Sequence, residues 1–451
     1  MRWITRDKHF YKTIVTLAVP ISMQALVTFL VGFADNVMIS SFGDAAVSGV
    51  LFGGQIQFLL QQLVFGLGSA LMIMTAQYWG RGDLEPIRRL LGLVLRIGGA
   101  AALVMTALSF LMPRQLLGLF TDQAVSLDQG VAYLRILCWS FLFYVVSQIL
   151  AFAMRSVETA FIGAVASVAA LVVNVLLNWV LIFGVGPCPA LGVRGAALAT
   201  LIARGVECAV MVFYVFGKDQ KLQMRLRDIF RSSGELLKQY LHYGIPVVAG
   251  DLVWAVNVLC QNALLGHYTE DVSAAASITN TLNSLIYVVL NGLWGGVSVL
   301  IGKTIGEGRR EKVKEYARTC QILFLGVGLV SGGFVFSCKG LFLAMYAGIS
   351  AGAREVALQF MTVLSVTIIG SCYEACCLGS LVKAGGDTSF VFKNDSIFVF
   401  LVVLPSAFLA RWLGAPLWVV FLCLKSDQLL KCIVAVIKVN RFRWIREIAK
   451  T

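Results

Sequence analysis

The sequence predicts an all-α integral membrane protein with twelve transmembrane helices in two pseudo-symmetric lobes of six. Three observations predict it: an apolar composition, twelve apolar runs of spanning length, and a repeat that relates the two halves. Of the 451 residues, 59% are hydrophobic and 14% are charged. A water-soluble chain of this size could not bury that much apolar surface, and runs near 20 residues match the bilayer's hydrocarbon core. The repeat has a fixed offset of 226 positions. Pro20 falls on Pro246, Leu26-Val27 on Leu252-Val253, Asn36 on Asn262, Gly66-Leu67 on Gly292-Leu293, Gly80 and Gly82 on Gly306 and Gly308, and Glu85 on Glu311. One gapless offset joining prolines, glycines and an asparagine within apolar stretches marks a duplicated helical unit, an arrangement typical of transporters.

The runs lie at about 13–38, 47–76, 90–112, 131–154, 161–184, 192–216, 240–267, 275–302, 318–337, 356–382, 391–410 and 414–437. Several exceed the minimum span, which implies tilt or bending. The first follows Arg2, Arg6, Lys8 and Lys12. It is too long for a signal-peptide core and lacks a small-residue cleavage site, so it reads as the first membrane helix. The net charge of +13 invites a nucleic-acid partner, but its distribution excludes one. Of 37 Lys and Arg, 28 fall in the termini and the even-numbered connections, five on the opposite side and four within runs. That is the positive-inside bias, and it places both termini in the cytoplasm. Six helices per copy bring the second copy in with the same orientation as the first, so the halves are related by an axis along the membrane normal. The expected organisation is an N-lobe at 1–216, a polar cytoplasmic linker at 217–239 and a C-lobe at 240–451.

Other function classes find no footing. The three histidines, His9, His242 and His267, are not at ligand spacing, and the eleven cysteines show no repeated spacing. Cys372, Cys376 and Cys377 read as small residues packed between helices. A bridge between Cys188 and Cys338 does not follow from sequence. With no Gly-rich phosphate loop, an ATP-driven pump is unsupported, and no enzymatic activity or bound cofactor is expected.

The chemistry must come from polar groups inside apolar runs, where an ionised carboxylate costs about 2.5–3.5 kcal/mol and usually faces the bundle interior. Asp35, Glu207, Asp251 and Glu374 stand out, with Asp427 beside Lys425 in the last run. Glu207 follows Arg204 by three residues, close enough for a structural ion pair on one helix face. Asp35 comes late in a run that enters from the cytoplasm, so it lies in the outer half. The fifth run ends outside and carries Asn174 and Asn178 one turn apart. Thr200 sits about two turns into the sixth run, which starts outside. A carboxylate, two amides and a hydroxyl thus share one depth. Their oxygens suit Na⁺ at Asp35, Asn174 and Asn178, and the carboxylate alone suits exchange of a proton.

Several strings resemble the multidrug and toxic compound extrusion (MATE) family, in its bacterial NorM/DinF-like branch. In the first half these are VGFADNVMISSFG at 31–43, TAQYWGRGD at 75–83, AYLRI at 132–136, LLNWVLIFG at 176–184 and ALGVRGAALAT at 190–200. In the second half LIGKTIGEG at 300–308 and KAGGDT at 383–388 fit as well. Their order and spacing cover essentially the whole chain. The resemblance implies a V-shaped pair of lobes, alternating access, and export of organic, often cationic, compounds in exchange for Na⁺ or H⁺. It places the ion site on Asp35, Asn174, Asn178 and Thr200. Many members have Asp where this chain has Asn178, which removes one negative charge here. Asp251 and Glu374 are secondary membrane acids, the first a soft match to a seventh-helix acid and the second two residues from the tenth-helix position, occupied by Cys372. Pro20 matches a bending proline of the first helix, because proline removes one backbone hydrogen bond.

The expectation is therefore a monomeric, multi-pass exporter of drug-like molecules in the bacterial inner membrane, with Asp35 as coupling carboxylate. The alternative is a lipid-linked oligosaccharide flippase of the same superfamily, which would need a basic cavity for a pyrophosphate; Arg135 and Arg204 are nearly the only arginines within runs. The copies themselves differ in their acids: Asp35 meets Gln261, and Asp251 meets Ala25.

Overall fold

The computed structural model describes residues 4–120, 123–185, 189–231, 233–346 and 348–448. Cys188 lies outside them, and Cys338 is a free thiol. Lipid offers no partner to backbone N–H and C=O groups, so apolar runs close their hydrogen bonds internally as helices. Among the described residues, ten helices are each long and apolar enough to cross a membrane. An eleventh crossing is a bent pair, and the twelfth run forms two shorter helices. The chain clusters into two compact units, one of Val19–Thr75 and Gly82–Leu241, the other of Met1–Ala18, Ala76–Arg81 and His242–Thr451.

In the first unit, α1 (Lys8–Ile39, from Val19 on) and α2 (Asp44–Arg81, to Thr75) are followed by α3 (Leu84–Leu111) and the short α4 (Pro113–Gly118). Then come α5 (Ala124–Leu137), α6 (Ser140–Ser156), α7 (Phe161–Phe183), α8 (Val193–Phe213) and α9 (Leu226–Phe230). The fourth run, expected as one helix, is bent by 55° between α5 and α6. The cause is local. The Cys138 carbonyl accepts from the Phe141 N–H, three residues on, and from the Thr106 hydroxyl of α3 at 3.0 Å, which diverts it from the α-helical ladder. Helix α7 runs along α8, and α6 packs on α3 and α8. Gly195 permits the close α7–α8 approach, since a Cβ there would stand 2.5 Å from the Leu181 carbonyl oxygen.

The polar stretch 217–239 belongs to this unit as a packed element. The Asp219 carboxylate accepts the Leu222 N–H at 2.7 Å, and Lys221 Nζ donates to the Val157 carbonyl at 2.7 Å. Helix α9 packs on α3, where a Cβ on Gly92 would meet the Asp228 carbonyl at 2.7 Å.

The second unit contains α10 (Gly234–Gly266, from His242), α11 (Glu270–Gly306), α12 (Arg310–Ala344) and α13 (Ala351–Glu374), which continues as a π-helix over Ala375–Val382. It ends with α14 (Thr388–Ile397), α15 (Leu404–Trp412), α16 (Leu417–Leu424) and α17 (Ser426–Asn440). The last run is broken at Lys425, whose backbone leaves the helical region at φ −110° and whose Nζ donates to Gln261 Oε1 at 3.0 Å. Phe10 and Ile14 of α1 pack here against Val297, Phe324, Leu381 and Trp444. A second core holds Phe360 stacked on Phe421 at 4.2 Å.

Neither compact unit is a single contiguous stretch of the chain. The chain passes from one to the other inside α1 at Ala18–Val19, beside Pro20, and the last turn of α2 belongs with the second unit. Both Pro20 and Pro246 lie inside continuous helices, α1 and α10.

The repeated glycines have a shared purpose within this unit. A Cβ on Gly80 would stand 2.1 Å from the Lys303 carbonyl oxygen, and one on Gly306 would stand 2.0 Å from that of Gln77. Gln77 and Lys303 are themselves related by the 226-residue offset. The end of α2 and the end of α11 thus cross by a reciprocal contact in which each glycine receives a carbonyl from its counterpart's helix. Gln77 is further held by its side chain, which donates to the Ala384 carbonyl at 3.0 Å and accepts the Ile448 N–H at 2.8 Å. Gly306→Ala is expected to force these helices apart and cost about 1–3 kcal/mol, the range for overpacking. Thermal unfolding in detergent checks this, and an unchanged midpoint would refute the reciprocal crossing.

Candidate functional site

Three helices of the first unit bring the predicted polar set together. Asn178 Nδ2 donates to Asp35 Oδ1 and also to Asn174 Oδ1 at 3.2 Å. Asn174 Nδ2 donates to Thr200 Oγ1 at 3.4 Å. Asn174 and Asn178 are both 0% exposed, Thr200 is buried, and Asp35 is partly exposed. The arrangement follows from sequence. A spacing of four residues puts the asparagines on one face of α7, and Gly195 lets α8 come close enough to deliver Thr200. Gly184 at φ +73° ends α7 in the left-handed conformation that favours glycine. Asn178 Oδ1 is buried with no hydrogen-bond partner among the described residues.

The charge environment of Asp35 is distinctive. Among the described residues no Lys or Arg forms an ion pair with it. A small cavity lined by Val27, Thr28, Val31, Asn174, Thr200 and Arg204 adjoins the network. Arg204 is engaged elsewhere: its Nη1 lies 2.7 Å from Glu207 Oε2, the pair expected from their spacing.

The secondary acids of the second unit each face a lysine. Asp251 Oδ1 accepts from Lys383 Nζ at 3.2 Å, and Asp251 Oδ2 has no hydrogen-bond partner among the described residues. Lys431, 5% exposed, faces three carboxylates: Asp395 at 2.9 Å, Asp427 at 3.3 Å and Glu374 at 3.9 Å. Asp427 therefore pairs with Lys431 rather than with its neighbour Lys425. Sequence reasoning passed over Asp395, which it placed near the start of a run and which lies well inside α14. The spacing signals only Lys431, four residues after Asp427, and gives no sign of Asp395. At the position equivalent to Asp35, Gln261 holds Lys425. Among the described residues no cluster of three or more His, Cys, Asp or Glu could hold a metal ion of that type.

Two repeats of membrane helices, with a carboxylate–amide chain inside one of them, define an all-α membrane transporter. The MatE family profile matches residues 20–180 and 246–409, and the chain belongs to the MATE family, NorM-like in kind. It is 24% identical over 436 residues to the uncharacterized transporter YisQ of Bacillus subtilis, covering 92% of this chain and 91% of that one. The multidrug resistance protein NorM of Vibrio vulnificus is 25% identical over 429 residues, covering 91% and 90%. Among solved structures, a MOP superfamily transporter from Pyrococcus furiosus aligns with a TM-score of 0.87 at 18% identity, over 97% of this chain and 98% of the other. An outward-facing multidrug resistance MATE family transporter aligns equally, with a TM-score of 0.87 at 18% identity, over 98% and 99%.

Proposed function

We propose that this chain is a multidrug exporter that expels organic, often cationic, compounds by antiport against H⁺ or Na⁺, with Asp35 as the coupling carboxylate. The observation that carries this reading is a contrast of partners. Asp251 and Glu374 face resident lysines, whereas Asp35 is met by neutral amides. A carboxylate inside the bilayer without a resident cation takes one from solution, because leaving it bare is costly. A proton or Na⁺ on Asp35 lowers that cost, and a cationic substrate competes for the same charge, which links ion entry to substrate exit. For Na⁺ the oxygens on offer are those of Asp35, Asn174 and Asn178, including the Asn178 Oδ1 that lacks a partner among the described residues. Pro20, inside α1, is the proposed hinge, because proline removes one backbone hydrogen bond of the helix. The setting is the bacterial inner membrane, with a monomeric chain and cytoplasmic termini. The flippase alternative lacks support, since Arg204 is already paired with Glu207.

The test is ethidium or norfloxacin efflux from vesicles with Na⁺ and pH gradients imposed separately. One of the two gradients is expected to drive efflux when applied alone. Efflux indifferent to both would end the antiport reading.

A further inference from the structure

We propose that Glu207 is a positioning residue for coupling: it holds Arg204 away from Asp35 and so leaves that carboxylate free to exchange its cation. The inference rests on the reading of Asp35 as the coupling carboxylate.

Arg204 follows Thr200 by one turn of α8, so both side chains lie on one face. Together with Asn174 they line the small cavity that reaches α1 at Val27, Thr28 and Val31. The guanidinium therefore stands at the end of the amide chain that leads to Asp35. What restrains it is Glu207, 2% exposed and fixed from three helices. Its Oε2 meets Arg204 Nη1 at 2.7 Å. Its Oε1 accepts from Gln148 Nε2 of α6 at 3.2 Å and from the Ser167 hydroxyl of α7 at 3.1 Å. The Tyr144 ring lies against the guanidinium at 5.0 Å. Each carboxylate oxygen of Glu207 is thus engaged, and the pair is electrically closed.

Counting charge gives the consequence. Arg204 and Glu207 cancel, and Arg155 of α6 is held on the neutral Gln24 Oε1 at 2.6 Å, so Asp35 is the one carboxylate of the network without a paired cation among the described residues. The other titratable groups acting on the cluster, Tyr133 of α5, Tyr144 and Arg155 of α6 and Cys208 of α8, offer no second carboxylate. If Glu207 loses its charge, the guanidinium becomes the cation that Asp35 lacks. A tethered arginine cannot leave, so Asp35 would be permanently paired and could not exchange.

The test uses the full chain in proteoliposomes, with ethidium efflux driven by pH and Na⁺ gradients in separate arms. E207Q is expected to lower efflux by about tenfold or more, since an opposite charge held beside a carboxylate resists its neutralisation. It should also move the pH of half-maximal efflux down by about one unit, because a guanidinium partner favours the ionised carboxylate. Removing the arginine as well, in R204Q/E207Q or the apolar pair R204M/E207M, should restore both efflux and pH profile, as a buried pair replaced as a whole leaves no unpaired charge. Parent-like efflux in E207Q would overturn the proposal. So would double variants that elute as folded protein and are as inactive as E207Q, because Glu207 would then be needed for its own sake. Asp35→Asn in the same assay judges the underlying reading separately: full efflux there removes Asp35 from coupling whatever the Glu207 variants do.

Discussion

Asp35→Asn is expected to abolish gradient-driven export while leaving the protein folded. The substituted amide keeps an oxygen where Asn178 Nδ2 now donates, so the chain from Asn178 through Asn174 to Thr200 retains its partners. What disappears is the negative charge, and with it the reason for a cation to bind. An ionised carboxylate in a span costs about 2.5–3.5 kcal/mol, and each 1.4 kcal/mol of lost coupling is about tenfold, so a fall well beyond tenfold is expected. The measurement pairs efflux under each gradient with thermal unfolding of the same preparation. Unchanged export with unchanged ion dependence would remove Asp35 from the mechanism. A large drop in unfolding temperature would instead mean that its charge is structural.

Much of this site was legible in the sequence because it depends on two regular quantities. The helical period sets Asn174 and Asn178 on one face of α7. The alternation of membrane crossings sets the depth that Asp35, Asn178 and Thr200 share. The repeat was legible for a similar reason: a fixed offset preserves the glycines whose backbones must touch, Gly80 on Lys303 and Gly306 on Gln77. What could not be read depends on contacts between elements far apart in the chain. Lys431 gathers acids from α13, α14 and α17, and nothing in the spacing of Glu374, Asp395 and Asp427 reveals that they converge. The bend at Cys138 depends on a hydroxyl from Thr106, 32 residues away. The placement of Phe10 and Ile14 in the second unit likewise follows from packing partners near the other end of the sequence.

The same contrast sets the second large effect. Lys431→Met is expected to destabilise the second unit by about 3–5 kcal/mol, the usual result of removing one partner from a buried ion group. Lys431 Nζ is the cation that Asp395, Asp427 and Glu374 share, and the Phe398 ring lies 5.9 Å from it. Methionine matches the length of the stem but supplies no charge, so three carboxylates would be left to repel one another in an apolar surrounding. Neutralising them in turn, with D395N and D427N on the Lys431→Met background, should return most of the lost stability, since the cost is electrostatic rather than one of packing. Unfolding midpoints of the parent and these variants in detergent decide it. A Lys431→Met protein as stable as its parent would mean that these acids need no resident cation. The distinction between a closed acid cluster in one unit and an open carboxylate at Asp35 in the other would then fall with it.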